Sequence, residues 1–164
     1  MRIVVLTESV TLDSFDCGDP VRNNWLKSRA NSNARTDDTR TYLAIETNEP
    51  IGFYALTTGS ILRATLPGSL RRNAPDPISC VLLAQLAVAL SHQGQGISRT
   101  LMIHAMTQAV TVSDIAGSRL LIVHPATPGL VPYYGKFGFI EIETTPVSIM
   151  VMTIQKTRSL LTAL

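Results

Sequence analysis

The stretch "LAQLAVALSHQGQGISRTLM", residues 83–102, holds Gly94 and Gly96, two of the 10 glycines in the chain, each preceded by a glutamine. Upstream, "CVLLAQLAVAL" (residues 80–90) is almost uniformly apolar, the pattern of a strand covered on both faces. Downstream, Ile97, Leu101, Ala105 and Ala109 recur at helical spacing and predict a helix from about Ile97 to Val112. A strand, a glycine turn and a helix start together make an anion site. The first N–H groups of a helix have no partner within it, and they carry the positive end of its dipole. Glycine lacks the Cβ that would hold a pyrophosphate away from those groups. Gln93 and Gln95 can add hydrogen bonds without adding charge. No Walker lysine follows, and the spacing misses the dinucleotide fingerprint, so a triphosphatase loop and a Rossmann site are both disfavoured.

Working outward, "RIVVLTE" reads as a first strand, and Asp19 with Pro20 marks a helix start. Val21, Trp25, Leu26 and Arg29 are expected on one face of that helix. Trp25 has a ring that could stack a base, but its spacing with Val21 and Leu26 places it in the core. "TRTYLAIETNEPIGFYALTTGSI" reads as two strands joined at "TNEP". "RATLPGSLRRNAPDPIS", punctuated by Pro67, Gly68, Pro75 and Pro77, reads as an extended loop. "RLLIVH" is a buried strand, "PGLVPYYGKFGF" a short helix ending in a glycine turn, and "FIEIET" and "VSIMVMTI" close the chain as strands. The order predicts an α/β fold: one domain over residues 1–164, a mixed central sheet flanked by helices.

With 45% apolar and 16% charged residues the chain is a folded globule. No apolar run reaches the ~18 residues of a membrane span, and "MRIVVLTESV" is a poor signal peptide, so a cytoplasmic location is expected. The net charge of +2 is small, yet Arg29, Arg35 and Arg40 cluster, as do Arg63, Arg71 and Arg72. Cys17 and Cys80 lie far apart without CxxC spacing, and His92, His104 and His124 are unclustered, so no metal site is expected.

The run through residues 83–102 resembles the acyl-CoA-binding motif of the GNAT superfamily of N-acetyltransferases, Gln/Arg-x-x-Gly-x-Gly/Ala, over Gln93, Gly94, Gln95, Gly96, Ile97 and Ser98. Seven segments, "FDCGDPVRNNWLKSRA", "TRTYLAIE", "IGFYALTTGSI", "RRNAPDPI", "LAQLAV", "HQGQGIS" and "YYGKFGF", stand in the order seen in GNAT toxins of bacterial toxin–antitoxin modules. They span about residues 15–140. The chain departs from that pattern at Gln85, Ala89 and Ser98, and by Pro125, Pro128 and Pro132.

The resemblance implies an enzyme that uses acetyl-CoA to acetylate the α-amino group of aminoacyl-tRNA, blocking translation. It implies a ribbon-helix-helix antitoxin as partner, and the apolar final strands are compatible with a homodimer. Tyr134 would be the general acid, with Tyr133 as its neighbouring competitor. Leu86, Ala87, Val88, Gln93, Gly94, Gln95, Gly96, Ile97 and Ser98 would hold the coenzyme. Arg29, Arg40, Arg63, Arg71 and Arg72 are the candidates for RNA phosphates. Two alternatives stay open: acetylation of a small-molecule or peptide amine, and a catalytically impaired domain that binds acyl-CoA or antitoxin.

Overall fold

Asp19 starts the first helix as its sequence position predicts. Its carboxylate accepts from the Val21 N–H at 2.9 Å, and Pro20 occupies the first turn, where its missing N–H costs nothing. The computed structural model describes residues 1–164. In chain order the elements are β1 (Arg2–Val5), α1 (Pro20–Ser28), α2 (Ala30–Arg35), β2 (Arg40–Glu46), β3 (Glu49–Ile61), α3 (Gly68–Arg71) and β4 (Ile78–Val88). Then come α4 (Ile97–Ala116), β5 (Leu120–Val123), α5 (Val131–Gly135), β6 (Ile140–Ile142), β7 (Ile149–Thr153) and α6 (Ile154–Thr162). The strands form one sheet, β1-β2-β3-β4-β5-β7-β6. Within it β4 and β5 run parallel, while β1–β2, β2–β3, β5–β7 and β6–β7 are antiparallel. This is the expected mixed α/β architecture. The chain divides into two compact units, Met1–Thr57 with Ala84–Ala105, and Thr58–Leu83 with Met106–Leu164.

In the first unit, β2 and β3 form a hairpin whose turn is only Thr47 and Asn48, both left-handed at φ +49° and +67°. That is the backbone a two-residue hairpin favours, so Glu49 and Pro50 belong to the strand rather than to the turn. The core gathers on Phe53: Phe15 meets it edge-on at 5.4 Å and Trp25 stacks on it at 6.0 Å. Trp25 is therefore a packing residue. The expected helix face needs a correction, because Val21 is 76% exposed and Arg29 is exposed as well. The chain passes from α1 directly into α2, and the buried pair Leu26 and Ala30 sets the inward face.

A polar pair sits beside this core. The Tyr54 hydroxyl lies 2.6 Å from His104 Nδ1, and the Tyr42 ring stacks on Tyr54 at 4.9 Å. Burial pushes the Tyr54 phenol up and the His104 imidazolium down. Both groups are therefore neutral, and they share one hydrogen bond between the phenol and the imidazole.

In the second unit, Cys80–Leu83 of β4 pair with Leu120–Val123 of β5, and β7 lies between β5 and β6. Ile78, Leu120 and Val151 are fully buried. The proline-rich stretch after β3 is not simply extended. It forms a 3-10 turn at Arg63–Thr65 and the short helix α3, pinned by buried Leu66 and Ala74. The chain also does not close on strands: Thr153 caps a final helix, α6, accepting from the Lys156 N–H at 3.1 Å. No helix is long and apolar enough to cross a membrane.

Candidate active site

The apolar run before the glycines forms β4, and the ridge after them forms the buried side of α4: Ile97 is 8% exposed, Leu101 and Ala109 not at all. Between them the backbone turns through Gly94 at φ +77° and Gly96 at φ +81°. A Cβ at either position would meet nothing within 4 Å. Glycine is needed there for its left-handed backbone, and the space above it is open. The Gly96 carbonyl accepts the first helical bond, from Thr100 N–H at 3.2 Å. The amides of residues 94–99 make no bond to the chain, which leaves a run of donors on the positive end of a 20-residue helix.

The glutamines act differently from the expectation. Gln93 gives its side-chain amide to the carbonyls of Cys17 at 3.1 Å and Val88 at 3.0 Å. Gln95 reaches the Ser91 carbonyl at 3.3 Å. Both brace the turn, and the donors left without a partner there are backbone amides. The brace brings in a segment that sequence reasoning missed, Asp16–Asp19. The Leu90 N–H bonds the Asp16 carbonyl at 2.8 Å, and the Asp16 carboxylate accepts from Gly18 N–H and Asn23 Nδ2, both at 2.8 Å. Those bonds, the backbone one foremost, hold the Asp16 carboxyl below its usual range. The visible signal was the Asp16–Asp19 turn chemistry, but nothing local links it to a glutamine 76 residues away.

Leu86, Ala87 and Val88 lie at the end of β4. The four residues of β5 pair only with Cys80–Leu83, so the last five residues of β4 have no β5 partner along that edge. Backbone groups there remain for other use. Ala89, beyond the strand end, gives its N–H to the Ile51 carbonyl at 2.9 Å. Leu86 through Ser98 are thus gathered into one strand-turn-helix within the first unit.

Tyr134 lies in the second unit on α5, which begins after a 3-10 turn at Pro128–Leu130. Pro132 falls in the first turn of α5, the position that tolerates proline, and the prolines set the helix start rather than break it. Tyr134 is 6% exposed, edge-on to Tyr133 at 5.2 Å and to Phe139 at 6.1 Å. Gly138, at φ +99°, returns the chain to β6. The arginines divide between the units. Arg29 and Arg40 belong to the first, and Arg40 is paired with Asp37 at 3.0 Å. Arg63, Arg71 and Arg72 belong to the second. There Arg63 is folded into its own loop, with its N–H on Asp76 and its guanidinium on the Ala74 carbonyl. Arg71 and Arg72 are exposed and form no ion pair.

The pattern of the acetyltransferase (GNAT) family matches residues 8–139. The chain belongs to the GNAT family. A tRNA-acetylating toxin of Mycobacterium tuberculosis is 32% identical over 147 residues, covering 90% of this GNAT chain and 89% of the relative. AtaT complexed with acetyl-methionyl-tRNAfMet superposes with a TM-score of 0.88 at 28% identity, over 97% of this chain and 98% of that one. A tyrosine-to-phenylalanine mutant of the AtaT toxin, bound to the C-terminus of the antitoxin AtaR and to acetyl-CoA, superposes with a TM-score of 0.83. It is 26% identical, over 98% of this chain and 97% of that one.

Proposed function

We propose that this GNAT chain is a cytoplasmic toxin that transfers acetyl from acetyl-CoA to the α-amino group of an aminoacyl-tRNA, stopping translation. The observation that carries it is the glycine turn at the head of α4, with the amides of residues 94–99 unpaired, in a chain close to a tRNA-acetylating toxin over nine-tenths of its length. Those amides would take the coenzyme pyrophosphate. The free edge of β4 at Leu86–Val88 would bind the pantetheine arm, with an N–H near Val88 polarising the thioester oxygen. Such preorganised donors supply a few kcal/mol to a transition state.

An α-amino group has an ordinary pKa of about 7.7–8.0, so near neutral pH it needs no strong base. Its lone pair attacks the thioester carbonyl carbon and the C–S bond breaks. The thiolate takes the phenolic proton of Tyr134, and the proton released from nitrogen passes through solvent to the resulting phenolate, which restores the phenol. A phenol of pKa about 10 is a competent acid for a thiolate of pKa about 8.5 only when held beside it. Arg29, Arg40, Arg63, Arg71 and Arg72 are assigned to tRNA phosphates, with Arg29, Arg71 and Arg72 uncommitted elsewhere while Arg40 and Arg63 have partners within the chain. A ribbon-helix-helix antitoxin and a homodimeric state complete the proposal. Labelled acetyl-CoA incubated with the chain and charged tRNA tests it: label on the aminoacyl group supports the reading. Label only on free amines, or none, overturns it in favour of a small-amine acetyltransferase or a non-catalytic domain.

A further inference from the structure

The second unit contains a cavity of about 420 Å³ that neither the glycine turn nor Tyr134 uses. Its walls come from α3, the C-terminal part of α4, the loop between α4 and β5, and the head of α6. Arg119 and Arg158 supply two guanidinium groups, Ser69, Ser113 and Ser118 supply hydroxyls, and no carboxylate lines it. Two of the hydroxyls are structural: Ser113 gives its proton to the Ser118 carbonyl at 2.8 Å, and Ser118 faces the Leu120 carbonyl at 3.4 Å. The cations are less committed. Arg158 meets Asp114 at 2.8 Å in a pair whose side chains are 49% and 56% exposed, an arrangement that contributes little and exchanges readily. Arg119 makes only long contacts, at 3.4 Å, to the carbonyls of Arg72 and Asn73.

Those two contacts join the cavity to the basic loop. Arg119 touches the main chain of Arg72 and Asn73, so the loop that carries Arg71 and Arg72 abuts the cavity that Arg119 and Arg158 line. Asp114 is the carboxylate that pairs with any of the four. Guanidinium forks with adjacent hydroxyls and no lining carboxylate match a phosphate, which accepts bidentate bonds. A lone free anion would need only the cavity. A polynucleotide backbone would use the cavity and the exposed Arg71 and Arg72 beside it.

We propose that the Arg119–Arg158 cavity seats a backbone phosphate of RNA and extends the Arg71–Arg72 surface. The inference deepens the reading of the chain as a tRNA-modifying enzyme and rests on it for the choice of nucleic acid. The test uses the full chain with uncharged bulk tRNA, followed by anisotropy between about 50 and 200 mM salt. Arg158→Gln and Arg119→Gln should each weaken tRNA binding and flatten the slope of log K against log salt by roughly 0.7–0.9, the counterions released by one contact. Arg119→Lys should recover most of the slope. Acetyl-CoA affinity should not move in any of them, which also shows that each variant is folded.

A parallel ³¹P titration with inorganic phosphate separates the two sources of phosphate. Millimolar phosphate binding that depends on both arginines, with tRNA binding unaffected, would make this a small-anion site and overturn the RNA assignment. Insensitivity of both probes would overturn the proposal altogether. If wild-type chain acetylates charged tRNA while the double glutamine variant binds tRNA normally, only this inference fails. If wild type transfers no acetyl yet the slopes change as stated, the toxin reading fails and the RNA site stands.

Discussion

At the head of α4 the donors are backbone amides on residues 94–99, fixed by two left-handed glycines and braced by Gln93 and Gln95. In the second unit the donors are Arg71, Arg72, Arg119 and Arg158, at the ends of flexible, exposed side chains. Both arrangements suit phosphate, and they differ in what they resist. Amides on a helix end carry partial charge and depend on conformation, so they tolerate salt and fail when the backbone is disturbed. Guanidinium groups carry full charge on loose stems, so they tolerate backbone change and fail as salt rises. The difference suits a small donor bound closely in one pose and a large acceptor gathered over a surface.

The largest effect is expected where neither anion site is touched. Tyr134→Phe keeps a ring that is 6% exposed and packed on Tyr133 and Phe139. Acetyl transfer in a single-turnover assay should fall by ~10²–10⁴, while acetyl-CoA and tRNA affinities stay within about twofold. Near wild-type transfer would return Tyr134 to a packing role, and the same drop for Tyr133→Phe alone would place the acid one residue earlier.

Next comes the amide site. Gly96→Val forces a branched residue to φ +81° and should lower stability by roughly 1–2 kcal/mol. Gly96→Asn accepts that backbone more readily and still projects a side chain into the open space above the turn. Calorimetry should show at least a tenfold loss of acetyl-CoA affinity in both, with little dependence on salt. Wild-type affinity in the asparagine variant would mean that the glycine serves the turn alone.

The guanidinium site should respond more gradually. Arg71→Glu with Arg72→Glu should weaken tRNA binding severalfold at physiological salt and much more at low salt, leaving acetyl-CoA affinity unchanged. A loss that ignores salt would break the contrast between the two regions. The smallest expected effect concerns the packing behind the turn. Burial lowers the His104 pKa, so the unfolded chain binds the proton more tightly. The stability this contributes is complete above the ordinary histidine value of about 6.5 and is lost as pH falls through the lowered one. Thermal melts between about pH 7.5 and 5 should therefore decline, and His104→Gln should flatten the decline. An equal slope in the variant would assign it to other groups.

The strand-turn-helix at residues 78–116 was legible because its signals are local: a continuous apolar run, two glycines, and a ridge at Ile97, Leu101, Ala105 and Ala109. The family came from the order of seven motifs, which no single spacing could provide. What escaped was of two kinds. Short helices were hidden by neighbouring patterns: α3 by the prolines around it, and α6 by the apolar strand that runs straight into its cap at Thr153. Long-range partners were invisible in principle. Nothing near Gln93 announces that its amide serves two main-chain carbonyls rather than a ligand. Nothing near Arg119 or Arg158 shows that α3, α4 and α6 bring them to one cavity.

The Gln93 brace has a consequence in time. Its bond to the Cys17 carbonyl closes a loop of 76 residues. Contacts of such range carry a large closure entropy and form slowly compared with hairpins and helices. On a ribosome, the Asp16–Asp19 segment emerges first and must wait until β4 and the turn have been made. The glycine turn therefore reaches its working shape only after about 93 residues have left the exit tunnel and the N-terminal segment has docked. A nascent chain that ends before Gln93 cannot make this brace, and its N-terminal segment lacks that docking partner.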